Sequence, residues 1–187
     1  MAFRFDKLTV KAQEAVQAAQ NLAADAGNPQ IDALHLLAGL LAETDGLVHP
    51  ILQKIGVGQS QLTSMLTSEL GRLPKVSGGS QPGVAQSLQK VFDESAKMAE
   101  QMKDEFVSTE HLLLALAKVE SPAKKLLEVN GIGENDILTA LSTVRGSGRV
   151  TDQNPEEKFQ ALERYGIDLV QKAEAGKLDP VIGRDQE

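Results

Sequence analysis

An all-α fold is predicted for this chain, with a four-helix unit present twice and related by a pseudo-twofold axis. Three observations predict it. Apolar residues recur at three- and four-residue spacing along most of the 187 positions, the period of a helix with one buried face. The triplet His-Leu-Leu stands at 35–37 and again at 111–113, so the second copy lies 76 residues after the first (111 less 35). Aromatic residues are only 3% of the chain, with no Trp and one Tyr. A core of Leu, Ala, Val and Ile suits closely packed helices.

The first helix is expected over 9–26, where Ala12, Ala15, Val16, Ala19, Leu22, Ala23 and Ala26 form one stripe. Thr9 is placed to cap it, and Gly27, Asn28 and Pro29 stop it. A second helix follows from Asp32 to about Glu43, then a turn at Thr44, Asp45 and Gly46 and a short helix ending near Ile55. Gly56 and Gly58 break the chain, and Gln59 to about Leu70 resumes helical spacing. The stretch KVSGGSQPG at 75–83 reads as a flexible connector. Beyond it the order repeats: a long helix over 84–102, a second over 108–119, a short third opened by Ser121 and Pro122, and a fourth over 135–145. At an offset of 76, Leu8, Ala12, Ala15, Val16, Leu22 and Ala23 fall on Val84, Leu88, Val91, Phe92, Met98 and Ala99, and Ile31 falls on Val107. After one deletion the offset is 75, and Gly56 and Gly58 fall on Gly131 and Gly133. This is an internal duplication. Repeat one spans about 8–72 and repeat two about 84–145, together a domain over 1–148. The polar run 149–158 is expected as a linker, and 159–187 as a further segment belonging to neither repeat, helical as far as Gly176.

Composition narrows the function. A net charge of −7 without a Lys/Arg stripe argues against a nucleic-acid binder. The absence of cysteine removes thiol nucleophiles, disulfides and zinc–thiolate sites. The longest apolar run, 112–117, is far short of the roughly 20 residues that span a bilayer, and charges interrupt the amino terminus every few residues. A soluble, cytoplasmic protein with neither membrane nor nucleic acid as partner is expected.

Motifs with chemistry are few. With Asp32 and Ser108 as caps, His35 and His111 both occupy the third helical position, where a capping box places a side chain that accepts from the cap's own N–H. Capping explains the recurrence; a ligand or catalytic role is the alternative, but no HxxxH or HExxH spacing accompanies it. GGSQPG at 78–83 has Pro82 where a nucleophile elbow needs glycine. No G-x-x-x-x-G-K-[ST] occurs, so no P-loop is present and no enzyme activity or cofactor is expected of these residues. Asp104 and Glu110 flank the turn before the second helix of repeat two, where repeat one has Asn28 and Leu34. That break in symmetry is a hint of function. The residues themselves indicate a binding domain.

LTVKAQEAVQAAQNLA and the two HLL segments resemble the Clp amino-terminal domain. RLPKVSG at 72–78 and RVTDQNPEEKFQALERYGIDLVQKAEAGKLDPVIGRDQE at 149–187 resemble the ClpB branch of that family, the ATP-driven disaggregases. The resemblance implies a domain that captures unfolded or aggregated polypeptide and passes it to the pore of a homohexameric AAA+ ring, which uses ATP and magnesium and works with a DnaK-type chaperone. It makes 159–187 the start of the first AAA+ module, with Val181, Ile182 and Gly183 similar to the part lying against the nucleotide's adenine. Thr9, Asp104 and Glu110 match polar substrate-linked positions, while Val91, Phe92 and Met98 match an apolar groove. Their periodicity alone places those three in the core. Glu94 and His111 stand where ClpB relatives can have leucine. Docking of an adaptor, as in ClpC- and ClpA-like unfoldases, is the alternative function.

Overall fold

The computed structural model describes residues 4–76, 81–146 and 148–155. A 3-10 turn at Phe5–Lys7 leads into α1 (Val10–Asp25), β1 (Gln30–Ile31), α2 (Ala33–Ala42), α3 (Val48–Ile55) and α4 (Gln59–Gly71). The second half contains β2 (Gly83–Val84), α5 (Gln86–Gln101), α6 (Thr109–Lys118), α7 (Pro122–Val129) and α8 (Glu134–Val144). The predicted all-α architecture and its breaks are present. Gly56 and Gly131 take left-handed backbone, with φ of 87° and 73°, at the two equivalent helix ends.

Packing is reciprocal, as a pseudo-twofold axis requires. α3 lies on α8 and α4 on α7; α1 touches α6 as α5 touches α2; and α2 meets its own counterpart α6. The two short strands were not expected, and Val84 is in β2 where the first turn of a helix was predicted. Ile31 pairs with Val84 in a parallel ladder, while Leu8 pairs with Val107 in an isolated parallel bridge. Leu8 is equivalent to Val84 and Ile31 to Val107, so each repeat's first residues are bonded to the other repeat's corner. This exchange ties the halves into one core.

α2 and α6 are its centre. Leu36, Leu37, Leu40 and Leu112, Leu113, Leu116 are fully buried, and every residue of 109–117 is buried. From Leu112 to Ala117 this enclosed helix is apolar all round, while Thr109, Glu110 and His111 bring buried polar groups to its start. α1 presents only Ala12, Ala15, Ala19 and Ala23 to the interior, a stripe so thin that Gly39 of α2 lies directly on the backbone of Ala15.

The polar run expected as a linker is, in its described part, packed on the domain. Val150 is fully buried. The Glu105 N–H donates to its carbonyl at 2.9 Å, and the Val10 N–H donates to the Gln153 carbonyl at 2.9 Å. The last of these bonds satisfies one of the amides that every helix leaves unpaired at its start, here on α1.

Candidate functional site

The two histidines are capping residues. Nδ1 of His35 accepts from the Asp32 N–H at 2.9 Å, while Asp32 Oδ1 accepts from the Leu34 N–H at 3.0 Å. With Nδ1 occupied as acceptor, the hydrogen-bond network assigns the proton to Nε2, which donates to Asn28 Oδ1 at 3.0 Å. Burial pushes the His35 pKa down, against the raising effect of Asp32, and so keeps the ring neutral. His111 repeats the geometry: Nδ1 accepts from the Ser108 N–H at 3.0 Å, and Nε2 reaches Asp104 Oδ2 at 2.9 Å. His49 bonds the Leu41 carbonyl and Gln59 instead. Among the described residues no group of three or more His, Asp or Glu could hold a metal ion.

Asn28 and Asp104 are therefore equivalent partners of equivalent histidines, each at the corner that follows the first helix of its repeat. Asn28 donates through Nδ2 to the Pro74 carbonyl at 2.8 Å, and the Val76 N–H donates to the Gly27 carbonyl at 2.9 Å. In repeat two the corner is charged. Asp104 Oδ1 accepts from the Val150 N–H at 2.8 Å and from Nη2 of Arg145 in a short ion-paired bond. Nη1 of Arg145 reaches Glu110 Oε1 at 3.3 Å, and its Nε donates to the Gly148 carbonyl at 2.7 Å. The three charged side chains are 0–4% exposed. Burial alone would raise the Asp104 pKa; bonds from His111, Arg145 and the Val150 amide outweigh it and hold the carboxyl down at about 2. Glu110 Oε2 has no hydrogen-bond partner among the described residues.

Of the six residues expected to meet substrate, all are buried. Thr9 is a helix cap, its Oγ1 accepting from the Ala12 N–H at 3.3 Å, and is fully enclosed. Asp104 and Glu110 belong to the Arg145 cluster. Val91, Phe92 and Met98 are core residues, as their periodicity indicates. Phe92 lines a cleft of about 90 Å³ between α1 and α5, with Val16 and Gln20 from α1, Leu36 from α2, Leu88 from α5, and Ile31 and Val84 from the strands. Phe5, 50% exposed, closes one side, edge-on to Phe92 with ring centroids 5.5 Å apart. Val84 is 45% exposed. Glu94 is ion-paired to Lys118 at 2.9 Å and Lys97 at 3.3 Å; the bond from Lys118 above all holds its pKa down. It is not among the residues lining the cleft. Val181, Ile182 and Gly183 lie outside the described residues. Sequence reasoning missed Phe5, Val84 and Arg145.

A doubled four-helix unit with exchanged strand pairs and paired histidine caps is an all-α tandem-repeat fold. The chain matches the Clp repeat (R) N-terminal domain over residues 7–130 and belongs to that family. It is 54% identical over its whole length to the chaperone protein ClpB of Rhodopirellula baltica and 39% identical over 98% of its length to that of Bacteroides thetaiotaomicron. It spans about a fifth (21%) of the length of each. The fold is shared with the Hsp104 N-terminal domain of Candida albicans, at TM-score 0.73 and 21% identity over 80% of this chain and 99% of that one. A ClpV N-domain solved in complex with a VipB peptide superposes at TM-score 0.62, with 18% identity over 78% of this chain and 91% of that one.

Proposed function

We propose that this domain captures unfolded or aggregated polypeptide for an ATP-driven disaggregase, seating exposed apolar side chains in the cleft between α1 and α5. The observation that carries the reading is the cleft itself: an apolar floor of buried core residues, opened to solvent beside two half-exposed side chains, Phe5 and Val84. Native proteins hide the groups such a surface binds. Each client side chain buried contributes roughly 1.5–3 kcal/mol before the cost of association, which gives weak, sequence-tolerant binding. Weak binding suits release to a pore. The whole-chain identity to ClpB chaperones supports the parent activity, and the peptide held by a domain of the same fold supports peptide capture. A cytoplasmic homohexameric ring, ATP with magnesium, and a DnaK-type partner belong to the same proposal.

The test is titration of the 187-residue chain with a permanently unfolded polypeptide, reduced and carboxymethylated α-lactalbumin, against the native protein. Binding to the unfolded form alone is expected, weakened at least fivefold by Phe5→Ala and by Val84→Asp at unchanged thermal stability. Equal binding to both forms, or indifference to both substitutions, refutes the reading. Tight binding to a folded adaptor with none to unfolded chain would identify a docking domain instead.

A further inference from the structure

We propose that Arg145, Asp104 and Glu110 are positioning residues that clamp the domain's own exit segment, residues 148–153, across the start of α1, without touching the client. The part concerning clients rests on the capture reading above. The clamp itself does not.

The hydrogen bonds of Arg145 and Asp104 at this corner go to the exit segment or to the residues that hold it, while Glu110 Oε2 is buried without a partner among the described residues. Arg145 uses one nitrogen on each acid and the third, Nε, on the Gly148 carbonyl. Asp104 receives His111 on Oδ2 and both Arg145 and the Val150 N–H on Oδ1, three of its roughly four acceptor sites, and its side chain is 0% exposed, so it presents no oxygen to a client at the surface. Two backbone bonds continue the clamp: Glu105 N–H to Val150, and Val10 N–H to Gln153. Thr9, the third polar position that the family resemblance links to substrate, precedes the residue that holds Gln153. Asp104 directly, and Glu110 through Arg145, thus support one strap.

Comparison of the repeats isolates what the charges add. The first copy fastens its own exit, residues 74–76, at the same corner with the neutral Asn28, and has Leu34 and Leu70 where the second has Glu110 and Arg145. The backbone arrangement is inherited; the charges are the second copy's own. Charge-assisted bonds are roughly twice as strong as neutral ones. The clamp also moves the point at which the chain leaves the domain from 148 to beyond 153.

Two variants of the 187-residue chain test this. Arg145→Gln removes the clasp. The triple variant D104N/E110L/R145L rebuilds the corner as the first repeat has it, and its matched removal of charge protects against simple misfolding. Hydrogen exchange followed by NMR is expected to show the Val10, Glu105 and Val150 amides exchanging at least tenfold faster in both. The α2 amides of Leu37 and Leu40 should stay unchanged, and trypsin should cut after Arg149 at least tenfold faster. Affinity for carboxymethylated α-lactalbumin should move less than twofold. Unchanged protection at the three amides in the folded triple variant overturns the clamp. A tenfold fall in affinity with protection unchanged would mean that the acids meet client directly, and also overturns it. If the wild-type chain binds no unfolded polypeptide, the capture reading fails while the exchange data still decide the clamp.

Discussion

Substituting Gly39 by alanine should destabilise the domain although alanine is the better helix former. A Cβ at this position would lie 2.2 Å from the Ala15 carbonyl oxygen and 3.1 Å from its carbon. A carbon–oxygen contact needs about 3.2 Å, so α1 and α2 must separate by roughly 1 Å, and the obstacle is backbone that no rotamer change relieves. Overpacking of this kind costs about 1–3 kcal/mol, and opening the Ala12, Ala15, Ala19, Ala23 stripe puts this case at the upper end. Helix propensity returns about 1 kcal/mol. The net loss is about 2 kcal/mol, a fall in Tm of roughly 4–8 °C for a chain this size. Far-UV circular dichroism during guanidinium and thermal unfolding measures it, since a chain without Trp has little fluorescence signal. The equivalent residue in α6 is Ala115, and Ala115→Gly supplies the control: it should lose about 1 kcal/mol from propensity and roughly as much again from the buried methyl it removes. G39A at or above wild-type stability would refute the close-approach argument.

Other consequences follow from the caps and the charged corner. Asp104 has its ordinary pKa of 3.8 lowered to about 2, so its ionised form contributes about 2 kcal/mol that is fully present above pH 4 and lost as pH falls through about 2; urea unfolding of wild type and D104N across that range should show the variant lacking this part of the acid loss. Thr9→Ala should cost about 1 kcal/mol by leaving the Ala12 amide without its cap, with Thr9→Ser close to wild type in the same unfolding assay. Lys103 holds φ of 60° where the equivalent Gly27 holds 70°; Lys103→Gly should therefore raise stability by about 1 kcal/mol, read as a higher denaturation midpoint at constant m-value.

Helices and breaks were legible because each is written locally. The alanine stripe of α1, the glycines at 56 and 131 and the histidine caps depend on neighbours within four residues, and the duplication multiplied each signal by two. The strands were not legible. A two-residue pairing between Ile31 and Val84 has no periodicity, and only the tertiary fold brings those segments together. The exit strap failed for a related reason: TDQNP is polar and turn-rich, and its docking is decided by backbone bonds to Glu105 and Val10 that composition does not encode. At the charged corner, symmetry-breaking pointed to Asp104 and Glu110. The same comparison at offset 75, Leu70 against Arg145, carried the signal for their partner. The acids' burial could not be read, because an acidic residue in a helix start is ordinarily solvated, and it is Arg145, 41 residues from Asp104, that permits its enclosure.

The unequal treatment of two equivalent corners has a mechanical logic. The segment leaving α4 returns to the domain within a few residues: the Gly83 N–H bonds the Pro29 carbonyl at 3.0 Å, and the Ala85 N–H bonds that of Ile31 at 3.0 Å. It is held at both ends, so the neutral Asn28 bond at its start bears little strain. The segment leaving α8 is fastened through residue 153 and has no further helix or strand after it among the described residues, so a pull on it would fall on the corner. A buried ion cluster resists such a pull sharply, because separating one partner strands the others in low dielectric at about 3–5 kcal/mol, whereas a neutral bond yields for about 1 kcal/mol. Removing the whole cluster is mild and breaking it is severe. On that reasoning the exit segment held at Asp104 should resist local opening more strongly than the segment held at Asn28.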